Sequence, residues 1–530
     1  MNLHFQRKQL SIPYVIFLLC FVIAPVLVVF YYAFTNGEGR FTAANFIGFF
    51  TNQNTIGTLC YSLVVALTVT ICCTLVAYPT AYILARSHFK KKAVLLVLFV
   101  APMWINFTLR VVALKEVLTM IEGNLAYHPF LNTVLGMTYD FLPFMILPLY
   151  TTLSKLDKSY LEAAADLGAS PVVTFMKVTF PLSMPGLISG ITMVFLPSMT
   201  NYVILDMLYN STYIMGSLIG SYFSAYDWHS GSMISIVLLA IIFLITWATN
   251  GFNEEETSRG GSIMIKRILH SSWLALVLLF IYLPVLMLAV YSFTDTATIG
   301  TKGNFSLQNY VTLFTTPELR GMIGGTFLLA FGSALVATIL GTIGAIGAFY
   351  CKKGPKQLIQ FVNQIPVINA DVVTGFSLCV LMIVVLGMDK ETLLPLIAGH
   401  VVLEAPFVYL SVLPKLKQMD NSIYEAARDL GANARVALFK VVIPQLVPGI
   451  VSGFMLSVTL SLDDYFITTY TKPATFDTIS TYVVNATKGS HTEIKTALWA
   501  LSTVIFVIIL TVVLAGNRIT HRKAGADNEK

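Results

Sequence analysis

The residues able to do chemistry in this chain sit inside or beside long apolar runs. Asp463 and Asp464 stand side by side late in one such run, followed by Tyr465. A charge within a bilayer costs several kcal/mol, so an acid there is expected to serve a solute path. A cation entering would exchange water for fixed carboxylates, and the ring faces of Tyr465 and Tyr202 would add cation–π attraction. The alternative is a solvated, structural acid at an outer helix end. Asp371, early in another run, is a second such acid, with a kinking role beside Pro366 as its alternative; Asp206 lies near an outer end and belongs to the mouth of a path. Trp104, close to Pro102, either lines a cavity or is an interfacial aromatic. His400 and Glu404 are four apart and share a helix face, as a solute contact or a hydrogen-bonded structural pair. Arg110 and Lys115 can pair with Asp140.

No arrangement points to catalysis or to a metal. The six cysteines, Cys20, Cys60, Cys72, Cys73, Cys351 and Cys379, lie in or at the ends of apolar runs without metal-ligand or disulfide spacing. There is no nucleophile elbow, phosphate-binding loop or HExxH pair. The chain is expected to bind no cofactor and to catalyse nothing by itself.

A second constellation occurs twice. Glu162, Ala163, Ala164, Gly168, Pro181 and Pro185 recur as Glu425, Ala426, Ala427, Gly431, Pro444 and Pro448, each pair 263 residues apart. One displacement over so many landmarks means a duplicated half. Alanines favour helix with almost no side chain, and Gly168 or Gly431 ends that helix where a left-handed cap is tolerated. A second short helix is expected over 171–178 and 434–441, with Pro181 or Pro444 starting the next apolar run. This makes a helix-turn-helix with a shallow apolar face, open to close approach by a partner. A hairpin lying on the lipid surface is the alternative.

The elements that position these residues follow from composition. Hydrophobic residues make up 56% and charged residues 11% of the chain, against about 25% charged in ordinary soluble domains. The runs are long enough to cross a bilayer as helices, so the fold class is an all-α integral membrane protein. Twelve spans are expected, near 12–34, 59–85, from 93, from 132, 181–205, 233–250, 273–293, 322–350, 358–386, 393–413, 443–470 and 496–515. Lys and Arg gather in the short loop at 86–92, at Lys352, Lys353 and Lys356, and at Arg518, Arg522 and Lys523. The positive-inside tendency places these loops, the duplicated stretch and both termini in the cytoplasm. The net charge of +6 therefore reads as topology signals, and nucleic acid is not an expected partner. Residues 1–250 and 272–530 form two halves of six spans each, joined by a polar cytoplasmic linker at 251–271. An even number per half makes the repeat parallel. Gly341, Gly344 and Gly347 with Ala337, Ala345 and Ala348 form a small-residue ridge suited to close helix packing.

The duplicated stretch, with Val178, Phe180 and Pro181 or Val441, Ile443 and Pro444 closing it, resembles the EAA loop of permease subunits in binding-protein-dependent ABC importers. That pattern usually has Ile and Leu at the two apolar positions that are Val and Phe, or Val and Ile, here. Within the family, Pro143 to Tyr150 and the segment from Leu156 through Ser170 resemble one permease of spermidine/putrescine importers. Asp371, His400 and Leu460 to Asp464 resemble the other, so nearly the whole chain looks like both fused. The resemblance implies that Glu162, Ala163, Ala164, Gly168, Glu425, Ala426, Ala427 and Gly431 couple to ATPase subunits. It implies two copies of that subunit with ATP and Mg on them, an extracytoplasmic polyamine-binding protein and a bacterial cytoplasmic membrane. Another small solute is an alternative. A secondary transporter of major-facilitator type shares the parallel plan, but the 86–92 loop lacks that family's Gly and Asp.

Overall fold

A computed structural model describes residues 7–86, 92–157, 159–249, 267–296, 298–488, 494–508 and 510–511. The basic loop at 87–91, most of the linker and the basic residues 518–523 lie outside the described residues. Among the described residues every named element is a helix, and extended pairing is limited to two isolated bridges, Thr35 with Phe41 and Thr294 with Phe305. Among the described residues nine helices are long and apolar enough to span a membrane: Arg7–Ala33, Gln53–Arg86, Pro129–Lys155, Pro171–Thr200, Trp228–Ile245, Ser271–Tyr291, Pro317–Phe349, Leu394–Gln418 and Ala434–Asp463. Two bent pairs bring the count up to 11, and a shorter apolar helix, Ile494–Ile508, occupies the place of the expected last span.

The bent pairs are the third element of each half. Val94–Trp104 meets Phe107–Glu122 at 95°, and Lys353–Ile368 meets Asp371–Val385 at 104°. Pro102 and Pro366 stand just before the breaks. Proline lacks an N–H and its ring clashes with the carbonyl one turn back, so the helix ends within a turn. Backbone groups at the breaks are satisfied locally: Asn106 Oδ1 accepts the Thr108 N–H at 3.1 Å, and the N–H groups of Asn369 and Thr374 donate to the carbonyls of Ile365 at 2.9 Å and Ala370 at 3.0 Å. In an apolar medium such local pairing is obligatory.

Compact packing does not follow the two sequence halves. One unit comprises Met1–Gln53, Leu218–Leu239 and Gly321–Tyr482; the other comprises Asn54–Ser217, Ala240–Arg320 and Val483–Lys530. The first apolar helix of the chain thus packs with second-half helices. In that unit Tyr14, Phe17, Leu18 and Val22 share a core with Ala345, Ile346, Ala405, Tyr409 and Tyr424. The small-residue ridge makes this possible: a Cβ on Gly344 would overlap the Tyr14 ring, and one on Gly347 would overlap the Ser11 backbone. Tyr14 donates to Asn363 Oδ1 and stacks on Tyr409 at 5.6 Å between centroids. In the other unit the Ser271–Tyr291 helix plays the equivalent part. Trp273 Nε1 donates to Thr80 Oγ1 at 3.0 Å, and Tyr282 donates to the Leu98 carbonyl at 2.7 Å.

Candidate coupling loops and intramembrane acid cluster

The duplicated stretch folds the same way twice, at every landmark. Asp157 and Asp420 each accept a backbone N–H two residues on, from Ser159 at 3.0 Å and Ser422 at 2.9 Å. The helices Ser159–Asp166 and Asn421–Asp429 follow. Each ends in a paired cap: the Gly168 and Ala169 N–H groups donate to the carbonyls of Ala165 and Ala164, and those of Gly431 and Ala432 to Arg428 and Ala427. The glycines carry φ of 76° and 89°, the left-handed region that closes this cap without a Cβ penalty.

Ser170 and Asn433 then cap a second helical turn, which passes through π-helical Phe175–Thr179 and Leu438–Val442 straight into the next long helix. The expected separate short helix over 171–178 or 434–441 is therefore the first part of one element reaching Thr200 or Asp463. Pro181 and Pro444 sit at the second position of the regular helix that follows the wide turn. Inside these continuous elements a proline lacks the N–H of a regular ladder, and each one falls directly after the wide turn that already shifts the hydrogen-bond register.

Glu162, Ala163, Glu425 and Ala426 are exposed, Ala427 is half-buried and Ala164 is buried against its own hairpin. Sequence reading missed the most prominent apolar group, the leucine before each capping glycine: Leu167 is 88% exposed and Leu430 89%. Tyr160, Val173 and Met176 are also exposed, and so are their counterparts Ile423, Val436 and Phe439. Two similar apolar surfaces, with Glu162 and Glu425 at equivalent positions on them, are thus left uncovered within this chain.

The second-half acids divide into two kinds. Asp464 is buried and its carboxylate accepts from the backbone N–H groups of Ile467 at 3.2 Å and Thr468 at 2.7 Å, and from Thr468 Oγ1 at 2.7 Å. It caps the short helix Phe466–Thr471. His400, fully buried, lies 3.6 Å from Asp464 Oδ2 and 3.8 Å from Glu404 Oε1, and it hydrogen-bonds Ser461 at 2.7 Å and Thr468 at 3.0 Å. Ser333 Oγ donates to Glu404 Oε1 at 2.7 Å. This knot ties Pro317–Phe349, Leu394–Gln418, the end of Ile443–Asp463 and Phe466–Thr471 together. The expected His400 and Glu404 pair exists, inside a network whose serines and threonine carry no sequence signal of their own.

Asp463 and Asp371 differ in access. Asp463, the last residue of its helix, is half-buried, and Asp371, first after the 104° bend, is exposed. Asp371 lies close enough to Asp464 for their charges to interact. Close approach of the Asp371–Cys379 helix to Phe466–Thr471 depends on Gly375, where a Cβ would meet the Tyr470 ring at 2.8 Å. Tyr465 is buried beside them.

Trp104, Tyr202 and Asp206 belong to the other unit. Trp104 ends the 3-10 turn at the 95° bend and is 38% exposed. Tyr202, half-buried, opens the short helix Tyr202–Met207, and Asp206 is exposed in its last turn. Where the second half has its histidine knot, this half has a buried ion pair. Arg110 reaches Asp140 Oδ1 at 2.9 Å, and its Nε donates to the Ile105 carbonyl at the bend. Lys115 instead stands 4.4 Å over the Tyr209 ring.

Comparison with known proteins carries the same duplication. Residues 77–254 and 341–525 each match one family, described as the binding-protein-dependent transport system inner membrane component. The spermidine/putrescine transport system permease protein PotB of Haemophilus influenzae is 34% identical over 274 residues, which cover 95% of that protein and 47% of this chain. PotB of Escherichia coli strain K12 is 35% identical over 208 residues, covering 76% of its length and 36% of this chain. The putrescine transport system permease protein PotI of the same strain is 31% identical over 252 residues, covering 87% of it and 45% of this chain. Each relative matches over most of itself and less than half of this chain, as two permeases joined end to end require. With two family matches, two coupling-type loops and a helical membrane-spanning architecture, this chain belongs to the binding-protein-dependent transport system inner membrane components.

Proposed function

We propose that this chain forms the translocation path of an ATP-driven importer for polyamines such as spermidine and putrescine. The reading is carried by the duplicated loop, whose caps, glycine geometry and exposed leucine recur 263 residues apart, together with relatives named for polyamine transport. Two copies of an ABC ATPase dock on the loops through Leu167 and Leu430 with Glu162 and Glu425 beside them. ATP and Mg reside on that subunit and hydrolysis occurs there. An extracytoplasmic binding protein delivers the solute. The chain lies in a bacterial cytoplasmic membrane with both loops and both termini on the cytoplasmic side.

Asp371 and Asp463, neither of them fully covered by protein, hold the cationic solute, while Asp464 fixes the neighbouring short helix Phe466–Thr471. Tyr465 supplies an aromatic wall beside them and Glu404 acts through His400, while Tyr202 and Trp104 line the path within the other unit. The test is uptake into vesicles containing the full chain, the ATPase and the binding protein. Spermidine or putrescine should accumulate only with ATP. Gly168→Asp and Gly431→Asp should each abolish uptake while leaving insertion intact, because each strains a left-handed turn and puts a charge on an apolar docking surface. Normal uptake by both variants would sink the coupling role.

A further inference from the structure

The two coupling-type helices are alike in their caps but not in what holds them. Tyr424, immediately before Glu425, is buried, and the residue 263 positions earlier is Leu161. The guanidinium of Arg7 lies 3.8 Å from the centroid of the Tyr424 ring and 3.8 Å from that of Tyr350. A planar, permanently charged group between two ring faces is held by both, and is more strongly attracted where water is partly excluded. Tyr350 follows the end of the Pro317–Phe349 helix, and Arg7 opens the Arg7–Ala33 helix.

Arg7 is not a loose terminal side chain. Ser11 Oγ donates to the Lys8 carbonyl at 2.7 Å and contacts Cys351 Sγ at 3.7 Å, Gly347 lets the Ser11 backbone approach, and Tyr14 is locked against Asn363 and Tyr409.

We propose that Arg7 is a positioning residue that clamps the second coupling helix to the Arg7–Ala33 and Pro317–Phe349 helices. The proposal rests on the coupling reading above. Through its own chain the helix is joined to the next long helix by the π-helical turn Leu438–Val442. The clamp adds a lateral connection, so that a force applied by a docked ATPase reaches two further spans. The first coupling helix carries Leu161 at the position of Tyr424, so this clamp belongs to the second coupling helix and the two ATPase subunits are coupled unequally.

The experiment uses the full chain assembled with its ATPase and binding protein in liposomes, and measures putrescine or spermidine transported per ATP hydrolysed. Arg7→Ala and Tyr424→Leu should lower that ratio about fivefold or more, with assembly intact. Arg7→Lys should keep about half or more of it, and Tyr424→Phe all of it, because the charge and the ring face survive. If Arg7→Ala fails to accumulate in the membrane, Tyr424→Leu carries the test, since leucine already serves at the equivalent site. An unchanged ratio in Arg7→Ala and Tyr424→Leu overturns the clamp. Gly431→Asp separates the two levels: if it blocks uptake while the clamp variants are normal, only the clamp is wrong, and if it too is normal, the coupling reading fails.

Discussion

At the scale of the residue, adjacent acids do different work. Asp464 has its carboxylate committed to two backbone N–H groups and a threonine hydroxyl, with His400 at 3.6 Å, and Asp463, its neighbour, ends a helix and is half-buried. Asp464→Ala would strand buried donors, at a cost of about 1 to 3 kcal/mol. It should lower the thermal midpoint of the purified protein, while Asp464→Asn, which keeps an acceptor, should lower it less. Asp463→Asn should leave that midpoint unchanged but reduce transport roughly tenfold or more, since a partly desolvated contact to a charge contributes about 1.5 to 3 kcal/mol. Equal stability losses in the Asp463 and Asp464 variants would contradict this division.

Asp420 offers a pH test outside the membrane. The backbone N–H and then the hydroxyl of Ser422 hold its carboxyl below the usual carboxylate range. A depressed value in the folded state stabilises above the unfolded pKa of about 3.9 and is lost as pH falls through the lower folded value. Amide protection at Ser422 should therefore be flat at neutral pH and fall only in strong acid, with the acid step absent in Asp420→Asn.

At the scale of the element, glycine decides where helices meet, and for two separate reasons. Gly168 and Gly431 have open space around them and are needed for their φ, so alanine there meets no clash but still costs about 1 to 2 kcal/mol of left-handed strain. Gly344, Gly347 and Gly375 are needed for room. Gly347→Leu should expel the Arg7–Ala33 helix from its place beside Pro317–Phe349. A cysteine pair at Ser11 and Cys351, whose side chains now touch, reports this: Ser11→Cys should cross-link with Cys351 in the parent chain and not in Gly347→Leu. Continued cross-linking would show that the ridge tolerates bulk.

At the scale of the whole molecule, the compact units exchange elements between the sequence halves. A half expressed alone lacks helices that its unit requires. Cutting the chain within 251–266 and producing both fragments in one cell should yield an assembled, active permease, as the half-length relatives suggest. Residues 1–250 alone should be degraded, because the core around Tyr14 and Tyr409 cannot form. Accumulation of that fragment as a folded protein would argue against the exchanged packing.

The sequence alone determined the class, the duplication and the loop, because each depends on local terms. Apolar run length selects a membrane, one repeated displacement marks a repeat, and alanine, glycine and proline at fixed spacing prescribe a helix, a left-handed cap and a fresh start. Even the small-residue ridge was legible, since a stripe of glycine and alanine has little use except close packing. What the tertiary structure decided depends on which helix lies beside which. That Asp464 is a buried cap and Asp463 only half-buried, that Ser461 and Thr468 bond the histidine while Ser333 bonds Glu404, and that Arg110 pairs with Asp140 all require distant segments to meet. The hydropathy of a span says that it must be covered and not by what. Only the packing of Arg7–Ala33 among second-half helices brings Arg7 between two tyrosines more than 300 residues away.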